Sequence, residues 1–324
     1  MLVLYLVWGS TYLAIAVAVD TIPPFLMAGA RFLLAGTLLL AWTRLRGGTG
    51  FVAPTRREWR DMTVIGALLL GGGMGMVAFG EQTIPSGITA LLIALLPVWI
   101  AIFGRVLLGE RLPWLAVVGI VVGFIGVGIL VGPSLGGGDG GLDPLGLAAV
   151  ILSPIAWSLG SLFASHRATL PRDPLLNTGG QMVAGGLVLF GMAALTGEFG
   201  RFDPAAVSLT SLAAFVYLAI VGSLIAFTAY GWLLRVAPLP LVATYAYVNP
   251  VVAVILGAIV LHEPIEGRTL LAGAVIVGAV ALIVTARGRM TSGTRPAPAR
   301  RPVSPPPAPS VTPVAPAPSR SASD

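Results

Sequence analysis

Apolar runs about as long as a bilayer is thick follow one another from Leu2 to Ala286. Inside hydrocarbon each backbone N–H and C=O must find its partner within the protein. Runs of ~20 apolar residues therefore read as membrane-spanning helices. Ten are expected, at about 2–19, 24–42, 62–80, 87–107, 114–132, 144–164, 175–195, 209–233, 240–261 and 268–286. Turn chemistry punctuates them: Pro23-Pro24, Pro85-Ser86-Gly87, Pro113, the glycine-rich 136–141, Pro171 to Pro174, Pro204, Pro238 to Pro240 and Pro264.

Composition narrows what such a bundle does. Hydrophobic residues make up 56% and charged residues 10% of the 324-residue chain, against about 25% charged in soluble domains. Cysteine is absent, which removes disulfides, thiolate zinc sites and cysteine nucleophiles. All 19 basic side chains are arginine, so the P-loop lysine that grips nucleotide phosphates is missing and an ATP-driven pump within this chain is excluded. A lysine Schiff base is excluded on the same ground. Two histidines, His166 and His262, do not make a metal centre, and no cofactor is expected. The first apolar run lacks a basic leader and an A-x-A site, so it reads as a span and not a cleavable signal.

Arginine placement sets the orientation. Arg44, Arg46, Arg56, Arg57, Arg60, Arg105, Arg111, Arg167, Arg172 and Arg235 fall in alternate loops, and Arg287, Arg289, Arg295, Arg300, Arg301 and Arg320 follow the last span. The opposite loops hold Arg201 and Arg268. The positive-inside rule places both termini in the cytoplasm, which needs an even number of spans. The net charge of +6 thus lies at helix ends and in a tail, and no nucleic-acid partner is expected. Residues 288–324, rich in Pro, Ala, Ser and Arg, cannot bury a core and read as a disordered cytoplasmic tail.

The chain also repeats itself. Pro97 and Pro250, Gly104 and Gly257, and Glu110 and Glu263 are each 153 residues apart. Trp8-Gly9-Ser10 parallels Trp157-Ser158, Arg31 with Gly36 parallels Gln181 with Gly186, and Ala78-Phe79-Gly80 parallels Ala229-Tyr230-Gly231. Five spans per half is an odd number, so the halves enter the membrane from opposite sides. The expected fold is an all-α membrane protein of ten transmembrane helices in two five-helix inverted repeats. The first repeat covers 1–132, an extracytoplasmic glycine-rich linker 133–143, and the second repeat 144–287. Duplicated bundles interrupted by proline are a signature of secondary transporters, which hold substrate at the repeat interface near the midplane.

At these residues the chain resembles the EamA family of the drug/metabolite transporter superfamily, in its YedA-type exporter branch. The likeness rests on Trp8-Gly9-Ser10-Thr11-Tyr12, on Ile22-Pro23-Pro24 with Ala30-Arg31-Phe32-Leu33-Leu34-Ala35-Gly36, and on Glu81-Gln82-Thr83-Ile84-Pro85-Ser86-Gly87. It continues in Leu96-Pro97, Gly109-Glu110-Arg111-Leu112 and Ala243 to Ala253. It spans about residues 1–290. It implies a multi-pass inner-membrane carrier that exports small metabolites, amino acids or drugs by alternating access, coupled to protons. An importer or exchanger of organic solutes stays open as an alternative. So does a membrane-embedded enzyme or scaffold, although Ser158 to Ser161 misses the G-x-S-x-G pattern. The partners expected are a small organic solute, protons and the lipid bilayer.

Several residues are candidates for the substrate pathway. Pro97 and Pro250 free the carbonyls of Ile93 and Ala246 and are expected to bend their helices, either to line a pathway or as static kinks. Tyr245 and Asn249, four apart, share a helix face and offer an aromatic wall and an amide. They would contact substrate or bond between helices. Trp8, Thr11 and Tyr12 share a face of the first span, Pro154, Trp157, Ser158 and Ser161 a face of the sixth, and Ser223, Phe227 and Tyr230 a face of the eighth. These faces mix aromatic walls with hydroxyls and suit a small amphipathic solute. Their alternative roles are packing and interfacial anchoring.

Charged candidates are fewer. Glu81, ending the third span, is the expected proton-coupling residue. Arg31 lies seven residues into the second span and is expected to pair with Asp20 or Glu81 or to reach outward; binding a substrate carboxylate is the other reading. Glu110, beside Arg111, reads as a surface ion pair or loop anchor, and His262-Glu263 as a loop pair that could also titrate near neutral pH. Gly119, Gly123, Gly126, Gly273 and Gly278 allow close helix contact, within a repeat or in a homodimer.

Overall fold

The computed structural model describes residues 1–132 and 142–293, apart from 228, 230–232 and 234–244. The expected linker at 133–141, the Pro238 to Pro240 turn, Tyr230 and the tail from 294 lie outside the described residues. All regular structure among the described residues is helical. Eight helices are long and apolar enough to cross a membrane: α1 (Leu2–Val19), α2 (Pro24–Gly47), α3 (Arg56–Gly80), α4 (Ser86–Leu108), α5 (Trp114–Val131), α6 (Pro144–His166), α7 (Pro174–Leu195) and α10 (Gly267–Gly293, apolar to Ala286). Two shorter apolar helices, α8 (Leu209–Ile225) and α9 (Tyr245–Val260), lie beside them. The last helix extends past the expected boundary at 287, because the next proline is Pro296.

Helix ends follow their local chemistry. α2, α6 and α7 begin on prolines, whose missing N–H costs nothing in the first turn. Thr55 and Glu58 form a capping box at α3. α2 accepts a cap from a distance: Phe25 N and Leu26 N donate to Glu198 Oε1 and Oε2 at 3.3 and 2.8 Å. α4 does likewise, with Ser86 N and Gly87 N donating to Glu263 Oε1 and Oε2 at 2.8 and 3.1 Å. Glu263 is therefore not a loop anchor but a clamp between the end of α9 and the start of α4.

The duplicated Pro-Gly-Glu pattern has a geometric meaning at its C-terminal half. Glu110 N donates to Gly104 O and Glu263 N to Gly257 O, each at 3.1 Å. Both helices close on a left-handed residue, Gly109 at φ 69° and His262 at φ 56°, the arrangement of a Schellman-type cap. Gly257 is required for a second reason. A Cβ there would stand 2.5 Å from Glu263 Oε2.

Glycine also decides which helices touch. α2 crosses α7 where Gly29 meets Gly186 and Gly36 meets Gly179. A Cβ on Gly36 would stand 2.8 Å from Val183 N and 2.9 Å from Gly179 O; one on Gly186 would lie 3.0 Å from Gly29 O. α5 crosses α10 the same way. A Cβ on Gly119 would lie 2.9 Å from Ala279 O, and one on Gly126 would lie 2.7 Å from Ile276 Cγ1. Gly119 and Gly126, candidates for a dimer face, are thus used inside one chain. α1 packs on α9, with Gly9 under Val252, and α6 packs on α3 and α4.

Two large apolar cores result, beside a small cluster of Leu4 and Leu233 against Trp8 and Tyr245. One joins α1, α2 and α3 to α7 and α8, through residues such as Ile15, Phe32, Leu70, Leu189 and Leu218. The other joins α4 and α5 to α6 and α10, through Leu92, Val98, Leu130, Val150 and Ile276. Each core mixes both halves of the sequence.

Two helices widen midway. α3 is π-helical over Ala67–Gly75 and α8 over Leu218–Ile225, a rare form concentrated at functional sites. The two stretches start 151 residues apart, the separation of the Ala78 and Ala229 motifs. The proline positions differ more than their spacing implies. α4 is interrupted at Ala94 and Leu95, just before Pro97, whereas α9 runs helical through Pro250. The expected pair of matching bends is one break and one continuous helix.

Two stability predictions follow from these contacts. Gly36→Val drives side-chain atoms into the α7 backbone and should destabilise the detergent-solubilised protein by about 1–3 kcal/mol or more, read as a lower melting temperature and loss of the monodisperse peak. His262→Gly relieves a left-handed β-substituted residue and should stabilise by roughly 1 kcal/mol, provided the Glu263 clamp is retained; an unchanged or lowered melting temperature counts against it.

Candidate functional site

The two cores leave a cavity between them of about 100 Å³, space for several waters or a small solute. Its walls come from α1 (Trp8, Thr11, Tyr12), α2 (Arg31), α3 (Met74, Val77), α4 (Ile93, Leu96), α6 (Ser153, Pro154, Trp157), Phe227 just after α8, and α9 (Tyr245, Asn249). Residues from both halves of the sequence face each other across it.

The aromatic part is built by α1 and its neighbours. Trp8 meets Tyr245 edge-to-face at 4.9 Å between centroids and Phe227 at 5.6 Å, the geometry that ring quadrupoles favour. Trp157 reaches the cavity because Gly73 lies beneath it. A Cβ on Gly73 would stand 2.7 Å from Trp157 Cε3. The glycine-rich wide turn of α3 thus makes room for the α6 indole.

Polar groups are more constrained than their side-chain types imply. Asn249 is 7% exposed, and its amide nitrogen, in the orientation that satisfies its neighbours, donates to Tyr5 O and Tyr245 O at 3.3 Å each. It therefore ties α9 to α1 while lining the cavity. Thr11 Oγ1 donates to Trp8 O at 2.6 Å, Ser158 Oγ to Pro154 O at 2.6 Å, and Ser161 Oγ to Trp157 O at 2.8 Å. Hydroxyls on membrane helices bond back to the preceding turn. Their donors are used, and only acceptor capacity remains for a solute.

Of the expected pathway residues, Trp8, Thr11, Tyr12, Trp157, Tyr245 and Asn249 line the cavity together with Arg31. Ser158 and Ser223 are fully buried, and Ser223 holds Arg31 from behind. Ser161 lies one turn beyond Trp157, outside the walls. Pro97 and Pro250 are outside them too, although their neighbours Leu96 and Asn249 contribute. Tyr230 lies outside the described residues. Sequence reasoning missed Met74, Val77, Ile93, Leu96 and Ser153. Ser153 shares the Trp157 face at i−4 and was detectable; the four apolar residues look the same as lipid-facing ones. Tyr217 was also missed: its hydroxyl lies 2.6 Å from Ser10 Oγ, joining α8 to α1.

The charged candidates part company. Arg31 is 2% exposed and pairs with neither Asp20 nor Glu81, which corrects the expected ion pair. Asp20 is exposed, and the Arg31 Nε donates to Ser223 Oγ at 2.7 Å. Glu81 is 6% exposed, and neither carboxyl oxygen has a protein partner among the described residues; the buried hydroxyls of Ser86 and Thr89 on α4 have none either. Burial first, and the Glu263 carboxylate second, push the Glu81 carboxyl well above the ordinary carboxylate range. Tyr12, a cavity wall, lies within electrostatic range of Glu81. Glu110 approaches His166 Nε2 at 3.9 Å, a contact the reading of Glu110 beside Arg111 did not foresee. Among the described residues no cluster of His, Cys, Asp or Glu could hold a metal ion.

Comparison with known proteins agrees with this arrangement. The profile of the EamA-like transporter family matches residues 1–132 and again 144–285. The chain is 41% identical over 281 residues to the uncharacterized inner membrane transporter YedA of Escherichia coli (strain K12), covering 86% of this chain and 88% of that protein. It is 29% identical over 279 residues to protein PecM of Dickeya dadantii (strain 3937), with the same coverage. One solved crystal structure superposes with a TM-score of 0.60 over 90% of this chain and 96% of that one, at 24% identity, a likeness of fold. The chain belongs to the EamA-like transporter family and is a membrane transporter, not an enzyme.

Proposed function

We propose that the protein is a secondary exporter of small organic solutes in the inner membrane, with both termini cytoplasmic. Its ten helices form two five-helix inverted repeats around the central cavity. The observation that carries the reading is the cavity itself: an aromatic-walled space between two cores, lined by both halves of the chain. Membership of a transporter family supports it, as does the name of the YedA relative for the membrane. The repeat reading is supported by matched details: the Schellman caps after α4 and α9, the wide turns in α3 and α8, and the reciprocal glycines of α2 and α7.

Alternating access then takes a specific form. Each packed core contains helices of both halves, so the moving bodies are the two cores and not the two sequence repeats. The α4 break at Ala94 and Leu95 borders the cavity at Ile93 and Leu96, and wide turns flank it in α3. Such irregular turns are where packed helices change geometry at low cost.

Glu81 is the proton carrier in this reading. A buried carboxyl without hydrogen-bond partners is held neutral, and deprotonation needs either water or a rearrangement that supplies partners. Its neighbour Tyr12 links it to the cavity wall. Opening of the end of α3 to water would hydrate Glu81 and let it exchange its proton with the side that is open.

Two expected outcomes test the pair of claims. Asn249→Leu cuts the tie from α9 to α1 and removes the only side-chain amide among the described cavity walls. Efflux, measured by untargeted profiling of the medium of overproducing cells, should drop to the no-protein level at equal membrane abundance; undiminished efflux sinks the site assignment. Glu81→Gln should abolish gradient-driven efflux yet spare solute exchange. Its stability carries a second readout. Because the folded-state pKa is raised, the parent protein loses stability as pH climbs from the ordinary carboxylate range through the raised value. The Gln variant lacks that titration, so it should match the parent at acid pH and melt higher at alkaline pH. Parallel melting curves across pH would remove Glu81 from the coupling role.

A further inference from the structure

Among the described residues Arg31 is the one cavity wall with a full charge, and none of them neutralises it. Its Nε donates to Ser223 Oγ at 2.7 Å, and its guanidinium carbon lies 4.8 Å from the Phe32 ring centroid. Those are its partners among the described residues, where none of the ion pairs includes it. A guanidinium presents five N–H donors in a planar fork, and Ser223 uses one. Its Nη2 rests over Gly222, where a Cβ would come within 3.3 Å. The bare edge of the Gly222 turn leaves the fork room in the cavity wall.

The opposing walls are aromatic: Trp8, Tyr12, Trp157, Phe227 and Tyr245. Burying a cation without an anion is costly. The repeat counterpart of Arg31 is Gln181, whose amide donates to Asn177 Oδ1 at 2.8 Å, so the bundle does not require a charge at this position. The cation is in one half only, facing the space between the cores.

We propose that Arg31 is the anion-binding residue of the cavity, and that the transported solutes carry a carboxylate on a compact aromatic or apolar body. The inference rests on the transporter reading above. The planar fork matches a carboxylate in bidentate fashion, while the ring walls accept the apolar body. A single cation orients the solute, with its anion towards α2 and α8 and its body towards α1, α6 and α9. The cavity volume of about 100 Å³ is on the scale of a small acid.

The test uses the full-length protein in nanodiscs and reads quenching of tryptophan fluorescence, since Trp8 and Trp157 lie in the walls. The probes are benzoate, its neutral isostere benzamide, the cation benzylamine and the alternative oxyanion phenyl phosphate. Benzoate should bind about tenfold or more tighter than benzamide, with benzylamine weakest. Arg31→Gln should collapse the benzoate-to-benzamide ratio towards one. Arg31→Lys, which keeps the charge and loses the fork, should give an intermediate ratio and keeps the test decisive if the Gln variant does not fold.

Equal binding of benzoate and benzamide by the parent overturns the proposal, as does a ratio unchanged in both variants. Tighter binding of phenyl phosphate than of benzoate overturns the carboxylate assignment. Asn249→Leu separates the two levels of inference. If it weakens benzamide binding while the Arg31 variants leave every ratio alone, the cavity reading stands and the anion assignment falls. If no probe binds the parent at millimolar concentration, both fall.

Discussion

Lipid tails are as apolar as leucine, so the hydrophobic effect does not drive one membrane helix against another. Close backbone approach at glycine does the work here. Gly29, Gly36, Gly179 and Gly186 bring α2 onto α7, and Gly119 and Gly126 bring α5 onto α10. Both crossings join one half of the sequence to the other. Each core is thereby fixed as a mixture of the halves, and the cavity is the seam left between two well-packed bodies. Dispersion contacts at these crossings are individually small and collectively large, which is why a single added methyl group at Gly36 meets backbone atoms that cannot yield.

Eight of the ten expected spans, in their order, were legible because hydrocarbon imposes a one-dimensional rule of length and apolarity. The repeat was legible from Pro97, Gly104 and Glu110 and their partners, although the chemistry behind it was not. Glycine and glutamate recur because the Glu N–H reaches back to the Gly carbonyl across a left-handed turn. The cavity was half legible. Aromatic faces such as Trp8 with Tyr12 announce themselves, since large rings with polar tips are few in such a chain. Ile93, Leu96, Met74 and Val77 do not, because an apolar side chain carries no mark of whether lipid, protein or cavity lies beyond it. Hydroxyl donors at Thr11, Ser158 and Ser161 were overvalued: a local carbonyl is always nearer than a solute. Arg31 was misassigned because its partner depends on which helix crosses it, and α8 contributes Ser223 and not an acid.

Two uncompensated groups define the electrostatics, and they are held apart. Arg31 lines the cavity with a serine as its hydrogen-bond partner among the described residues, and Glu81 is buried at the end of α3 with neither carboxyl oxygen partnered among them. A direct ion pair between them would be the cheaper arrangement for a static protein. Among the described residues neither group has such a partner.

Glu263 shows how that lock is placed elsewhere. Its carboxylate takes the two N–H groups at the start of α4, where the helix dipole favours an anion, and Gly257 leaves space for it to pass. The same carboxylate contributes to keeping Glu81 neutral. A movement that drew the end of α9 away from α4 would remove both effects at once: the helix end would lose its cap, and Glu81 would lose a nearby negative charge. Ionisation of Glu81 and the capping of α4 are in this way linked through one side chain.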